Sequence, residues 1–279
     1  MRELNLLMNG IKKMLANDNL GNLGRLGNQM FQYASLRGIA EKYGYDYCLP
    51  PIEVFGVNDP MVVNSDINIF DCFNIPDVPR RVTNFPKLME STFALDNNIW
   101  DNCPDNVSLF GYFQTEKYFK HIEDKIRNVF TFVDEVFEPT KENFESNFGD
   151  DEVISIHFRR GDYANLPHHP MQELDYYIKG LSQLPNDIPV MIFSDDIQWC
   201  GEQDIFQDDR FILSEGNNTV VDLCLQSLCT YHIIANSSFS WWGSWLAQSK
   251  KTIAPSTWFA GPNKHKDVSD VYLPDWIII

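Results

Sequence analysis

"VISIHFRRGDY", residues 153–163, decides how this chain is to be read. Its first six residues are mostly β-branched or aromatic and make a strand, and the run stops at Phe158 against two arginines, a glycine and an aspartate. Further along, "QELDYYIKGLSQL", "IPVMIFS", "TVVDLCLQSLC", "YHIIA", "SWWGSWLAQ" and "KTIAPS" alternate helical and strand-like patterning. That alternation predicts βαβ units and a parallel sheet covered on both faces. Ligands of such sheets bind beyond the carboxyl ends of the strands, so Arg159 and Arg160 are expected on the binding rim.

The chain before Val153 has another texture. Residues 45–110 are rich in Pro, Asn and Asp, with scattered apolar segments. "FTFVDEVFEPTKENFESNFGDDE", residues 130–152, grades into an acidic, turn-rich stretch that reads as a linker. The expected division is an N-terminal domain over 1–148 and a C-terminal domain over 149–279, which suits 279 residues of 44% hydrophobic composition.

A formal charge of −17 excludes non-specific binding to nucleic acid or anionic membranes, because such binding needs a basic face. No run of eighteen apolar residues predicts an integral membrane segment, and the N-terminus lacks a signal-peptide core, so a cytoplasmic setting is expected. Cys48, Cys72, Cys103, Cys200, Cys224 and Cys229 form no C-x-x-C pair and read as reduced core thiols.

Three further stretches carry chemistry. Gly21, Gly24 and Gly27 lead into an amphipathic run (Met30, Tyr33, Ala34, Leu36, Ile39, Ala40), a loop opening a helix whose amides suit an anion; an ordinary glycine-rich turn gives the same pattern. In "IFSDD", residues 192–196, Asp195 and Asp196 end a strand where a carboxylate can receive guanine N–H groups or a ribose hydroxyl; a helix N-cap by Ser194 or Asp195 is the plainer alternative. In "IIANSSFSWWGSWLA", residues 233–247, Ser237, Ser238 and Ser240 lie between strand and helix, where hydroxyls and amides can bond phosphate. Trp241, Trp242 and Trp245 read as packing residues. Asp-x-Asp does not occur, which speaks against a metal-bridged nucleotide-sugar site and for no metal cofactor.

Taken together, "GRLGNQMFQYA" (24–34), "GYFQTEKYF" (111–119), "HFRRGDY", "FSDD" and "ANSSFSWWGSWLA" resemble, in order and spacing, the α1,2-fucosyltransferases of glycosyltransferase family 11. The resemblance runs from about Gly21 to Trp258. It implies a GT-B-like α/β fold of two Rossmann-type domains facing a cleft, and metal-independent, inverting transfer of fucose from GDP-β-L-fucose to the 2-hydroxyl of a galactose-terminated acceptor. It also implies that His157, Arg159 and Arg160 contact the nucleotide and diphosphate, and that Asp195, Ser237 and Ser238 act on the donor side. Gly24, Arg25, Gly27, Asn28 and Gln29 would line the cleft as donor-binding residues. GDP-fucose is then a substrate and no cofactor is required; the cytoplasmic setting extends to the edge of membrane-linked glycan assembly.

With no metal to absorb the charge that grows on the departing β-phosphate, arginines and amides must do so. Asp162, Glu173 and Asp175 are the candidates for taking the acceptor proton. Two other classes fit the same motifs: a GDP-fucose transferase of α1,6 or protein-O type, and a non-catalytic binding protein of the same fold. One departure from the family pattern is that "IKKMLANDNLGN", residues 11–22, is short and polar where a clear apolar strand is expected, so either the first strand is degenerate or the chain starts at Met8 or Met14.

Overall fold

The computed structural model describes residues 13–55 and 67–279. Two compact units emerge: residues up to 68 with 75–126, and residues 69–74 with 127–279.

The first unit holds a four-stranded parallel sheet in the order β2-β1-β4-β3. Its strands are β1 (Met14–Ala16), β2 (Asp46–Cys48), β3 (Lys87–Met89) and β4 (Val107–Phe110). The doubtful first strand therefore exists in degenerate form: Met14, Leu15 and Ala16 are all buried, and three residues suffice because neighbours pair on both sides. Residues 1–12 lie outside the described residues. Helix α1 (Leu26–Tyr43) follows the glycine loop and stops at Gly44, whose φ of 65° is the left-handed turn that ends helices. The expected apolar stripe of α1 is buried, but so are Gln29, Gln32 and Ser35 on its other sides. The helix is enclosed on most of its circumference, and its polar side chains find donor contacts inside: Gln32 donates to the Leu23 carbonyl (2.7 Å), leaving its Oε1 without a partner, and Ser35 donates to that of Phe113 (3.3 Å).

The second unit is a doubly wound sheet of six parallel strands in the order β10-β9-β8-β5-β6-β7. They are β5 (Ile154–Phe158), β6 (Val190–Ser194), β7 (Phe211–Leu213), β8 (Tyr231–Ile233), β9 (Lys251–Ala254) and β10 (Ile277–Ile278). The helices are α2 (Asp134–Phe148), α3 (Leu174–Leu181), α4 (Ile197–Gly201), α5 (Thr219–Leu228) and α6 (Ser238–Ala247). Alternation along β5 and β6 splits their side chains between two cores. Ile154, Ile156 and Phe158 pack with Tyr176 and Tyr177 of α3. Val153, Met191 and Phe193 pack with Leu225 of α5 and with Phe144 and Phe148 of α2.

The division differs from the expected 148/149 boundary. The acidic stretch read as a linker is helix α2, in which Thr140, Phe144 and Phe148 recur every four residues and are buried. That one stripe docks the helix on the second unit's core, so the contact division falls at Ile126 and Arg127. All six cysteines are buried and unpaired with one another, as read from the sequence. Among the described residues no helix is long and apolar enough to cross a membrane.

Candidate functional site

Strand order in the second sheet reverses at β5: the chain proceeds outward through β6 and β7, then returns to β5's other edge with β8. Parallel sheets open a crevice at such a switch point, beyond the carboxyl ends of the two strands that flank it. Here those ends lead into Arg159–Tyr163 and into Asn236–Phe239, the two stretches singled out by composition. Their walls are tied together, since the Tyr163 hydroxyl donates to the Asn236 carbonyl (3.1 Å) and the rings of His157 and Phe239 lie 5.4 Å apart.

Strand alternation continues into the loop and separates the two arginines. Arg159 follows the direction of His157, toward Tyr163, whose ring lies 5.1 Å below its guanidinium carbon. The Arg159 guanidinium is shared between the carboxylates of Asp162 and Asp195. Arg160 follows Phe158 to the other side, where its guanidinium stacks on Trp199 (3.5 Å to the ring centre) and its Nε donates to Asp196 (3.2 Å). The sequence reading treated the pair as one diphosphate clamp. The structure gives them different surroundings.

Asp195, expected on the donor side with guanine N–H groups or a ribose hydroxyl as partners, or as a helix cap, has both carboxylate oxygens bonded to the loop after β5. One of its oxygens accepts from the backbone N–H groups of Arg160 (2.8 Å) and Gly161 (3.2 Å), and the other from Arg159. It therefore fixes the loop after β5. A Cβ on Gly161 would come within 2.6 Å of the same carboxylate, which explains the glycine. The cap of α4 is Asp196, one residue beyond the expected candidates, accepting from Trp199 N (3.4 Å), while Ser194 Oγ accepts from Asp196 N (2.9 Å).

His157 is 5% exposed, and its Nδ1 has no protein hydrogen-bond partner. Burial pulls its pKa down to about 3, so the ring is neutral at pH 7. Ser237 caps α6, accepting from Phe239 N (3.3 Å), and Ser238 opens the helix. Trp241 and Trp242 are fully buried and Trp245 nearly so, and Trp241 Nε1 donates to the Val271 carbonyl (2.6 Å): these are packing residues, as read.

Three contributors were not anticipated. Tyr163 and Trp199 support one arginine each, and an aromatic three residues past Asp196 was the available signal for the second. Asp222, in the first turn of α5, accepts from Ser214 Oγ (2.6 Å) at the end of β7, and burial raises its pKa to about 6. Of the remaining candidates, Gly24, Arg25, Gly27, Asn28 and Gln29 stand on the first unit, at the carboxyl end of β1 and the start of α1. Gly24 has a φ of 82°, and a Cβ there would meet the Asn28 side chain at 2.1 Å.

The family model for glycosyl transferase family 11 matches residues 8–279. The chain belongs to glycosyltransferase family 11. It is 34% identical to an alpha-1,2-colitosyltransferase of Escherichia coli, across 85% of this chain and 90% of the relative. Galactoside alpha-(1,2)-fucosyltransferase 1 of Homo sapiens is 24% identical, across 80% of this chain and 64% of that one. Among solved structures, NodZ alpha-1,6-fucosyltransferase soaked with GDP-fucose is similar over 88% of this chain and 95% of that chain, with a TM-score of 0.56 at 13% identity. That likeness shows the fold, which is GT-B-like.

Proposed function

We propose that this transferase moves L-fucose from GDP-β-L-fucose to the 2-hydroxyl of a terminal β-galactoside, with inversion and without a metal. The observation that carries the reading is Arg159, held by Asp162 and Asp195 at the sheet's switch point, opposite the N-terminus of α6. A planar guanidinium whose orientation is fixed beforehand offers its remaining N–H groups to a phosphate without reorganising. The amides of the first turn of α6 and the hydroxyls of Ser237 and Ser238 supply the complementary donors. Charge accumulating on the leaving β-phosphate is stabilised there as the C1–O bond to fucose lengthens. The acceptor oxygen attacks C1 from the opposite face, inverting it, and its proton leaves for a carboxylate, for which Glu173 and Asp175 remain the candidates, because Asp162 is engaged by Arg159.

Recognition of the base falls to Asp222 on this reading. Both oxygens of Asp195 are taken by the loop, whereas Asp222, in the first turn of α5, is bonded by Ser214 just past β7, a strand two spacings or about 10 Å from β5, roughly the reach from a β-phosphate to its base. Its raised pKa marks a half-buried carboxylate short of donors, which guanine N1–H and N2–H would supply.

A second donor has an observation in its favour. The relative at 34% identity is named for colitose, which is L-fucose without its 3-hydroxyl, and exceeds the 24% identity of the human fucosyltransferase. One experiment tests both. GDP-fucose and GDP-colitose are offered with a panel of β-galactosides in EDTA, and product linkage is read by NMR. The expected result is an α1,2-linked product that persists in chelator, with GDP competing far better than UDP and losing that advantage in Asp222→Ala. No transfer from either donor would overturn the function, a requirement for Mn²⁺ the metal-free chemistry, and retained GDP preference in Asp222→Ala the base assignment.

A further inference from the structure

The stretch "GYFQTEKYF" has so far contributed only to the resemblance. In the first unit it forms the turn that leaves β4 at Phe110, and this turn is held in a conformation its sequence does not favour. Phe113 is fully buried yet has a φ of +54°, a left-handed conformation that a bulky residue rarely adopts.

Four neighbours impose it. The Glu90 carboxylate, just past β3, accepts from two consecutive amides, Tyr112 N (2.9 Å) and Phe113 N (3.0 Å). The Phe113 carbonyl accepts from Ser35 (3.3 Å) and from Thr115 N (2.8 Å). Its ring meets Tyr118 edge-on at 5.4 Å. Gly111 is required, because a Cβ there would lie 2.5 Å from that of Glu90.

Burying one phenylalanine does not call for a carboxylate gripping two successive amides. The other product of that grip is Tyr112, a residue 40% exposed on a backbone held by Glu90. Beside it, Gln114 Nε2 donates to Asn28 Oδ1 (2.6 Å), which ties the turn to the glycine loop and leaves Asn28 Nδ2 as a donor and Gln114 Oε1 as an acceptor on the same rim. Because the sheet is parallel, the ends of β1, β3 and β4 all face that rim.

A flat aromatic face beside an amide donor and an amide acceptor matches a hexose. The ring takes the C–H-bearing face of the sugar, and the amides take neighbouring hydroxyls. We propose that Tyr112, with Gln114 and Asn28, forms the subsite for the acceptor's terminal galactoside. The proposal rests on the transferase reading above and moves Asn28 from the donor to the acceptor.

The test uses the full chain and two readouts. In transfer kinetics, Tyr112→Ala should raise KM for methyl β-galactoside on the order of tenfold, with donor KM unchanged, whereas Tyr112→Phe should keep wild-type KM. In saturation-transfer NMR without donor, methyl β-galactoside, β-glucoside and β-N-acetylglucosaminide are compared on wild type and Tyr112→Ala. Saturation of the galactoside's ring protons that disappears in Tyr112→Ala supports the subsite, whereas saturation confined to the glucoside or the N-acetylglucosaminide would overturn it as a galactoside site. Equal saturation in both proteins, none in either, or an acceptor KM within twofold of wild type in folded Tyr112→Ala would overturn it. Failure of the wild type to fucosylate any galactoside counts against the transferase reading alone, because the binding readout does not depend on turnover.

Discussion

At the scale of single residues, two adjacent arginines have been given unlike surroundings by one feature of strand geometry. Successive side chains leave a strand on opposite sides, so Arg159 points with His157 toward the switch point and Arg160 points with Phe158 toward Trp199. Arg159→Lys keeps the charge but loses the fork, and turnover should fall by about 10²-fold, or roughly 2.7 kcal/mol, the effect of removing one preorganised donor. Arg160→Lys should lower turnover less than about tenfold and instead shift the urea midpoint, because it forfeits a stacked contact worth about 1 kcal/mol. Measuring kcat and unfolding for both variants decides the matter; equal losses of kcat with unchanged stability would return the pair to a common role. The sequence shows that positive charge is concentrated at the end of β5. It does not show the division, since the partners Asp195, Asp196 and Trp199 come from the next strand and helix, more than thirty positions away.

At the scale of elements, the helices that sequence periodicity reveals and those it hides differ in what they pack against. Helix α1 was legible from its apolar stripe, but its near-complete burial was not, because enclosure depends on residues 113–119 closing over it. Gly38 records that closure: a Cβ there would lie 2.0 Å from the Tyr118 carbonyl oxygen, a backbone atom that has little room to move. Gly38→Ala should therefore destabilise by about 1–3 kcal/mol, as overpacking does. Gly44→Ala should cost about 1 kcal/mol from backbone strain alone, since nothing lies within 4 Å of its Cβ position. Urea titration of the two variants ranks them, and a Gly38→Ala protein as stable as wild type would show that α1 does not seat against that turn. Helix α2 was misread as linker because ten of the fifteen residues of its acidic, Pro-containing sequence face solvent, and the three that matter, Thr140, Phe144 and Phe148, gain meaning only once Phe193 is there to receive them.

At the scale of the whole molecule, buried titratable groups couple stability to pH. His157, His169 and His232 are held neutral by burial, with pKa values pulled down to about 3, about 4 and about 4, against about 6.5 in an unfolded chain, and burial lowers His121 as well. Below pH 6.5 the unfolded chain therefore takes up protons that the folded chain refuses, so stability is lost as pH falls. Asp222, raised to about 6, works the other way: below that pH the folded chain binds a proton the unfolded chain does not take until near 4. The histidines outnumber it, so the unfolded chain binds more protons and stability falls on acidification between pH 6 and 4. Asp222→Asn removes the opposing contribution, so its stability should fall more steeply. Urea unfolding of both proteins at pH 7, 6 and 5 checks this, and stability that rose on acidification in the wild type would contradict it.

What the sequence determined by itself was local: strands with alternating or continuous apolar runs, the glycine loop and its helix, the parallel sheet of the second unit, and the motif order that resembles family 11. Each depends on residues within one turn or one strand of one another, where periodicity and steric preference act directly. Tertiary structure decided the rest. The order β10-β9-β8-β5-β6-β7 made a switch point of two loops some seventy residues apart. Tertiary contacts also turned Asp195 from a free carboxylate into the anchor of the Arg159 loop, gave Asp222 its bond from Ser214 and, in the first unit, let Glu90 hold Phe113 in a left-handed turn. The physical reason is common to these three carboxylates. A carboxylate's role depends on which donors reach its oxygens, and in this protein those donors arrive from other strands.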